Sequence, residues 1–283
     1  KEILKEQDRI NHILQHQVYG IAITELTALL SRRSVYCAKV ANSPLSICTG
    51  FSNEMGNIIF GQVEHDFKDG KCVECGASQK VMGDRHGLEN HAYAFIHSNK
   101  SADFKELETM KFDVIIGNPP YQLDDGGAGA SAKPIYQEFV NQAKKLKPNY
   151  LIMITPSRWF AGGKGLDSFR DEMLKDRQFK ELHDFPNSKE CFANVEIKGG
   201  VSYFLWQQGY DGDCEVFTYD NGDCISQMKR PLKEQGIDVF IRYNQAISIL
   251  RKVKVFNEIS FSELVSARKP FGLATDFKGS SNP

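Results

Sequence analysis

Apolar residues in this chain fall into short runs that alternate with segments of helical spacing. From residue 1 to about Leu14 the apolar positions predict a helix, and "QVYGIAI" then reads as a short buried strand ending near Ile23. Thr24 is suited to cap the next run, "ELTALLSRRSVYCAKV", in which Leu26, Leu29, Leu30 and Val35 fall on one helical face. "FDVIIGN" predicts a second buried strand, followed by the glycine-rich loop "DDGGAGASAK" and a helix from about Pro134 to Leu146. "YLIMITP" is a further apolar strand, "SFRDEMLKD" a helix, and "FKELHDF" and "VSYFLWQ" two more strands. Short apolar strands separated by helices imply an α/β fold with a mostly parallel sheet covered on both faces.

Residues 48–100 break this rhythm with glycines, histidines and the pair Cys72 and Cys75, and read as an insertion. The α/β domain accordingly spans residues 1–208. Beyond Gly209 come turn signals ("YDGDC", "DNGDC") and an amphipathic helix near "YNQAISILRKV", which predict the start of a second domain over residues 209–283.

Composition narrows the classes. Lys and Arg number 35 against 36 Asp and Glu, so a polyanion partner would have to be held by a local basic face. No apolar run reaches membrane-spanning length and the charged N-terminus is unlike a signal peptide. Seven scattered cysteines predict a reducing, cytoplasmic setting in which Cys72 and Cys75 bind metal and form no disulfide.

The candidate chemistry lies where "VIIG" runs into Asn118, Pro119, Pro120 and Tyr121. Ligands of open α/β sheets sit beyond the carboxyl ends of strands. The Asn118 carboxamide offers an acceptor and a donor, and the Pro119 carbonyl is a second acceptor held by the following ring. Two converging acceptors suit an exocyclic amino group, and Tyr121 adds a flat face for a base that has left its duplex. The plain structural alternative is a stiff turn with Tyr121 capping the core.

Asn-Pro-Pro-Tyr after a buried strand resembles the catalytic motif of amino-group DNA methyltransferases. With "VYGIAITELTALLSRRSVYCAK", "KCVECGASQ", "ENHAYAFIH", "ITPSRWFAGGKGL", "FRDEML" and "IKGGVSYFLW", the chain is similar to the Eco57I-like adenine-specific methyltransferases of restriction-modification systems. The resemblance implies a Rossmann-like domain that uses S-adenosylmethionine to methylate adenine N6 in double-stranded DNA with one flipped adenine. It also implies a nuclease activity elsewhere in a longer parent chain. Asn118 and the Pro119 carbonyl would hold the amino group, Tyr121 would stack on the adenine, and Pro120 would face the cofactor. Tyr203 or Phe204 would wall the base pocket and Arg158 would meet a phosphate. Gly20, Ala22 and Asn99 fall at the other cofactor positions. Ala22 and Asn99 depart from the acidic residues usual there, and the family's glycine-rich cofactor loop is absent, which predicts a fragment. A catalytically degenerate DNA-binding module is the alternative.

Cys72-x-x-Cys75 has zinc-knuckle spacing, with His65, His86, His91 and His97 as candidates for the other two ligands. His65 and His91 match the family best. Four protein ligands make such a site structural, stapling an insertion with little core of its own.

Overall fold

Helices α1 (Glu6–His16) and α2 (Glu25–Tyr36) form where helical spacing predicts them in the computed structural model of the protein. It describes residues 5–61, 63–82, 92–97, 102–123, 133–259, 261–265 and 279. Thr24 caps α2 reciprocally: its hydroxyl accepts the Thr27 amide, and the Thr27 hydroxyl accepts the Thr24 amide. The buried face of α2 is not the leucine face, however. Ala28, Arg32 and Tyr36 are buried, while Leu26 and Leu30 are 65% and 55% exposed. Hydrogen bonds decide this. The Arg32 guanidinium donates twice to the Ile58 carbonyl, at 3.1 and 3.0 Å, and the Tyr36 hydroxyl accepts the Asn57 amide at 3.0 Å.

Strands β1 (Gly20–Ile21) and β2 (Ile58–Ile59) pair in parallel, so residues 58 and 59 belong to the strand-helix rhythm and the insertion begins later than residue 48. The insertion opens with the hairpin β3 (Phe67–Lys68) and β4 (Lys71–Cys72), turned by Asp69 and Gly70 at positive φ. Short helices follow: α3 (Gln79–Met82), α4 (Tyr93–Ile96) and α5 (Ala102–Thr109).

The remaining elements are β5 (Val114–Gly117), α6 (Tyr136–Lys145), β6 (Tyr150–Pro156), α7 (Asp167–Lys175), β7 (Phe179–Phe185), β8 (Val201–Gln207), β9 (Cys214–Asp220) and β10 (Asp223–Arg230). Their six-stranded sheet has the order β10-β9-β7-β8-β6-β5. It is mixed and not mostly parallel: β5–β6 and β7–β9 are parallel, whereas β6–β8, β7–β8 and β9–β10 are antiparallel. The connections explain the difference, because no helix of crossover length lies between β7 and β8 or between β9 and β10. The chain reverses into β8 through Gly199 and Gly200, both at positive φ, and a Cβ on Gly200 would collide with the Phe185 carbonyl. β9 and β10 are joined by a tight turn with Asn221 and Gly222 at φ 52° and 85°.

β9 and β10 therefore extend the same sheet past residue 208, and the first compact unit runs through Arg242. The boundary expected after residue 208 falls inside that sheet. The unit Tyr243–Pro283 carries helix α8 (Asn244–Lys254), formed at the predicted amphipathic run.

In the first unit, Leu151, Met153, Leu182, Phe204, Trp206 and Val216 of the sheet share one core with Tyr136, Val140 and Ala143 of α6 and Phe169, Met173 and Leu174 of α7. This core supports the carboxyl ends of β5 and β6. Behind the loops at that end lies a buried ion pair, with Arg242 Nε 2.6 Å from Asp184 Oδ2. Arg242 also donates to Asp184 Oδ1 and the Gly199 carbonyl, at 2.9 and 2.6 Å, and Ser157 donates to Asp184 Oδ1 at 3.0 Å. Burial pushes the Asp184 carboxyl above the usual aspartate range, outweighing Arg242 and Ser157, which pull it down. A raised folded-state value means that this group favours the fold below the unfolded value, near pH 4, and that the contribution is lost as pH rises through the folded value. Removing the carboxylate strands Arg242 at the base of the Gly199 turn. Asp184→Ala is expected to lower unfolding free energy by about 3 kcal/mol, measured by denaturant titration at pH 7.

Candidate active site and metal centre

Gly117 ends β5 against Met153 of β6, whose Cε a Cβ at Gly117 would approach to 3.1 Å. The chain then leaves the sheet as Asn118, Pro119 and Pro120. Asn118 is exposed, Pro119 is buried and Pro120 is partly buried, so the second residue anchors the loop while the first projects from it. All three line a cavity of about 340 Å³ together with Gly20 and Ile21 of β1 and with Phe95, Phe112 and Phe139.

The Asn118 carboxamide makes no hydrogen bond among the described residues. Asn57 shows the contrast of an asparagine used for structure: its amide donates to the carbonyls of Leu14, Gln15 and Val18. Asn53 shows the local turn pattern, its Oδ1 accepting the amides of Met55 and Gly56. Asn118 is thus exposed, and its donor and acceptor are uncommitted among the described residues.

Tyr121 lies apart from that cavity. Its ring meets Phe192 edge-on at a centroid distance of 6.4 Å, and burial pushes its phenol well above the ordinary range. Among the described residues its buried hydroxyl has no hydrogen-bond partner. Of the two aromatic candidates on β8, Phe204 is wholly buried in the core beside Phe179. Tyr203 stacks on His183 at 4.3 Å, and the opposite face of that imidazole stacks on Phe217. Arg158 is exposed and forms no ion pair among the described residues.

The residues expected at a cofactor divide. Gly20 and Pro120 line the cavity together. Ala22 is buried and its amide donates to the Ile59 carbonyl at 3.1 Å, which places it in the β1–β2 pairing and outside the lining. Asn99 lies outside the described residues. The apolar walls suit the ring and thioether parts of S-adenosylmethionine, but no carboxylate that could hold ribose hydroxyls is among the described lining residues. The described residues therefore fit one side of that molecule.

The cysteine pair is brought into a tight cluster. Ligand atoms of His65, Cys72, Cys75 and His97 lie within 4.8 Å of one another, with Cys75 Sγ 3.5 Å from His65 Nδ1 and Cys72 Sγ 3.9 Å from His97 Nε2. Tetrahedral zinc with its usual bond lengths separates sulfur and nitrogen ligands by about 3.6 Å, so two thiols and two imidazoles at this spacing fit that ion. Burial alone would raise the Cys72 thiol, but backbone amides of Cys75 and Glu74 and the His65 side chain outweigh it and bring it below its usual value. Gly76 turns the knuckle at φ 72° and its amide donates to the Cys72 carbonyl. His97, which follows α4, is the second histidine of the cluster. His91, the residue favoured by family resemblance, lies outside the described residues, as does His86. What sequence spacing misses is that α4 buries Tyr93 and Ala94 and sets His97 at its end, facing the knuckle.

The knuckle is joined to the loop above. Cys72, Cys75, Ala77, Tyr93, Leu123, Ile135 and Phe139 form one buried cluster, and the Leu123 amide donates to the Lys133 carbonyl. Leu123 is two residues beyond Tyr121, so the cluster backs the chain leaving the Asn-Pro-Pro-Tyr segment.

A mixed α/β sheet, an amide presented on a rigid loop at a strand's carboxyl end, and a Cys2His2 cluster behind that loop define the class. Residues 16–192 match the Eco57I restriction-modification methylase family, and the chain belongs to it. It is 39% identical over 239 residues to an uncharacterised adenine-specific methylase of Mycoplasma pneumoniae, a match covering 77% of this chain and 57% of that protein. The chain thus spans little more than half the length of that relative. More distant similarity extends to the structure of a nuclease-deletion mutant of the Type ISP restriction-modification enzyme LlaGI with a DNA substrate mimic. That match has 12% identity and a TM-score of 0.42, and covers 90% of this chain and 21% of the other. The type I methyltransferase subunit from Streptococcus thermophilus is similar at 14% identity and a TM-score of 0.29, over 54% of this chain and 34% of the other. No helix among the described residues is long and apolar enough to cross a membrane.

Proposed function

We propose that this chain carries the methyltransferase part of a restriction-modification protein that methylates adenine N6 in a specific double-stranded DNA sequence. The observation that carries the reading is Asn118: exposed, without a hydrogen bond among the described residues, and set on a proline-stiffened loop at the mouth of a cleft. The family relation and the adenine-specific name of the Mycoplasma relative support adenine as the base.

S-adenosylmethionine, when bound, supplies the electrophilic methyl group. The chain's own part is positioning. The Asn118 carboxamide oxygen and the Pro119 carbonyl accept the two protons of the amino group, which orients the nitrogen lone pair away from both acceptors. Pro119 and Pro120 restrict the loop's backbone, so little ordering is needed when the base arrives. Tyr121 reaches a flipped base by leaving its contact with Phe192, and Arg158, exposed and without an ion pair among the described residues, meets a DNA phosphate. His65, Cys72, Cys75 and His97 hold a structural zinc, and a nuclease activity resides elsewhere in a longer parent chain.

The test is to incubate the complete natural polypeptide with DNA and S-adenosylmethionine and to measure N6-methyladenine by mass spectrometry. One methylated adenine per recognition site is expected. Cofactor binding without any DNA product would redirect the reading to another amino substrate, and absence of cofactor binding would favour a DNA-binding module.

A further inference from the structure

The ion pair of Asp184 and Arg242 stands where an apolar contact would hold the core as well. Asp184 is wholly buried, and Arg242 lies 2.6 Å from it, across 58 positions of chain. Charges taken out of water recover little net stability, and apolar residues of similar volume commonly serve a fold as well or better. What an apolar contact lacks is direction. A guanidinium fixes the atoms that it bonds in one planar arrangement.

The atoms bonded by this pair belong to two loops. Nη2 of Arg242 donates to Asp184 Oδ1 at 2.9 Å and to the Gly199 carbonyl at 2.6 Å, while the Ser157 hydroxyl donates to the same Asp184 oxygen at 3.0 Å. Main-chain bonding closes the ring, since the Ser157 amide donates to the Gly200 carbonyl at 3.0 Å. Stacking fixes the arginine further. Its guanidinium lies 5.3 Å from the centre of the Phe160 ring, Phe160 meets Phe240 at 4.5 Å, and Arg230 lies over Phe240 at 4.7 Å.

Each loop carries a group that bears on the proposed reaction. The turn Ser157–Phe160 presents Arg158, and the loop that ends at Gly199 carries Phe192, the ring against which Tyr121 rests. That second loop is braced internally. The Ser188 hydroxyl donates to the Val195 carbonyl at 3.1 Å and accepts the Ile197 amide at 2.9 Å, and the Phe192 amide donates to the Ser188 carbonyl at 2.9 Å. A displacement at Gly199 is therefore passed on to Phe192.

We propose that Arg242 is a positioning residue for methyl transfer: clamped on Asp184, it fixes the Gly199 turn against Ser157 and so sets the distance from Phe192, and with it Tyr121, to Arg158. The inference rests on the methyltransferase reading above. It adds that the buried pair serves the geometry of the two loops, at a place where the core would accept two apolar residues.

The experiment compares three forms of the complete natural polypeptide: unsubstituted, Arg242→Lys, and the double variant Asp184→Leu with Arg242→Met. Melting temperature, hydrogen exchange at the Ser157 amide, and kcat for DNA methylation well below the melting temperature are measured for each. The double variant is expected to melt within about 5 °C of the unsubstituted protein, because both charges leave together. Its kcat is expected to fall by about 10- to 100-fold, with faster exchange at Ser157. Arg242→Lys keeps a charge for Asp184 but loses the planar fork, and is expected to lose about tenfold in kcat at a nearly unchanged melting temperature. Full kcat in the folded double variant overturns the proposal and leaves the methyltransferase reading intact. Should the double variant fail to fold, full kcat in Arg242→Lys overturns it in the same way. An unsubstituted protein that transfers no methyl group overturns the methyltransferase reading, and this inference with it.

Discussion

Asn118→Ala is expected to lower N6-adenine methyl transfer by about 100- to 1,000-fold while leaving stability within about 0.5 kcal/mol of the unsubstituted protein. The two halves of this expectation come from different observations. The loss follows from removing one of the two acceptors proposed to orient the reacting nitrogen, at a residue that lines the cleft. The unchanged stability follows from exposure and from the lack, among the described residues, of any hydrogen bond that the substitution would break. Transfer of labelled methyl groups to DNA, with thermal denaturation alongside, reads both quantities. If Asn118→Ala keeps activity within tenfold, the segment is a stiff turn and the amino group is held elsewhere. If activity and stability fall together, Asn118 belongs to the scaffold.

Replacing Cys72 by Ser should reduce bound zinc from about one equivalent per chain to well under a tenth, and lower the melting temperature by about 10 °C. The reasoning begins with size. The hairpin β3–β4 has two residues in each strand, too few to hold itself together. The buried residues around it are chiefly the two cysteines, Ala77 and Tyr93 of α4, packed against Leu123, Ile135 and Phe139. Without the ion, two thiols and two imidazoles would remain crowded at short range, and the hairpin would lose its main tie. Loosening it uncovers the apolar surface of α6 and of Leu123, just beyond Tyr121, so methyl transfer should weaken as well. Plasma mass spectrometry gives the metal content, and a chelator applied to the unsubstituted protein should reproduce the shift. A Cys72→Ser protein with unchanged melting temperature would show that the cluster is not a structural metal site. His97→Ala tests the fourth ligand, and full zinc retention there would return the assignment to His91.

Much of the secondary structure was legible because its causes are local. Thr24 caps α2, "YLIMITP" and "VSYFLWQ" are strands, and Asn221-Gly222 turns a hairpin, since capping, apolar runs and positive φ depend on residues a few positions apart. The Asn-Pro-Pro-Tyr loop and the cysteine pair were visible for the same reason. Each is a short covalent arrangement, and its spacing suggests a chemistry that the experiments above test.

Tertiary structure alone decided three things. The sheet is mixed because β8 inserts between β6 and β7, and an apolar strand reads alike in either direction. α2 buries Arg32 and Tyr36 in preference to Leu26 and Leu30, because partners on the Asn57–Ile58 segment satisfy those polar groups and spacing cannot reveal such partners. His97 joins the cysteines because α4 carries it there, across 25 positions of chain from Cys72. Local composition determined what each segment could become, while contacts between distant segments determined which face was buried, which strands paired and which histidine met the thiols.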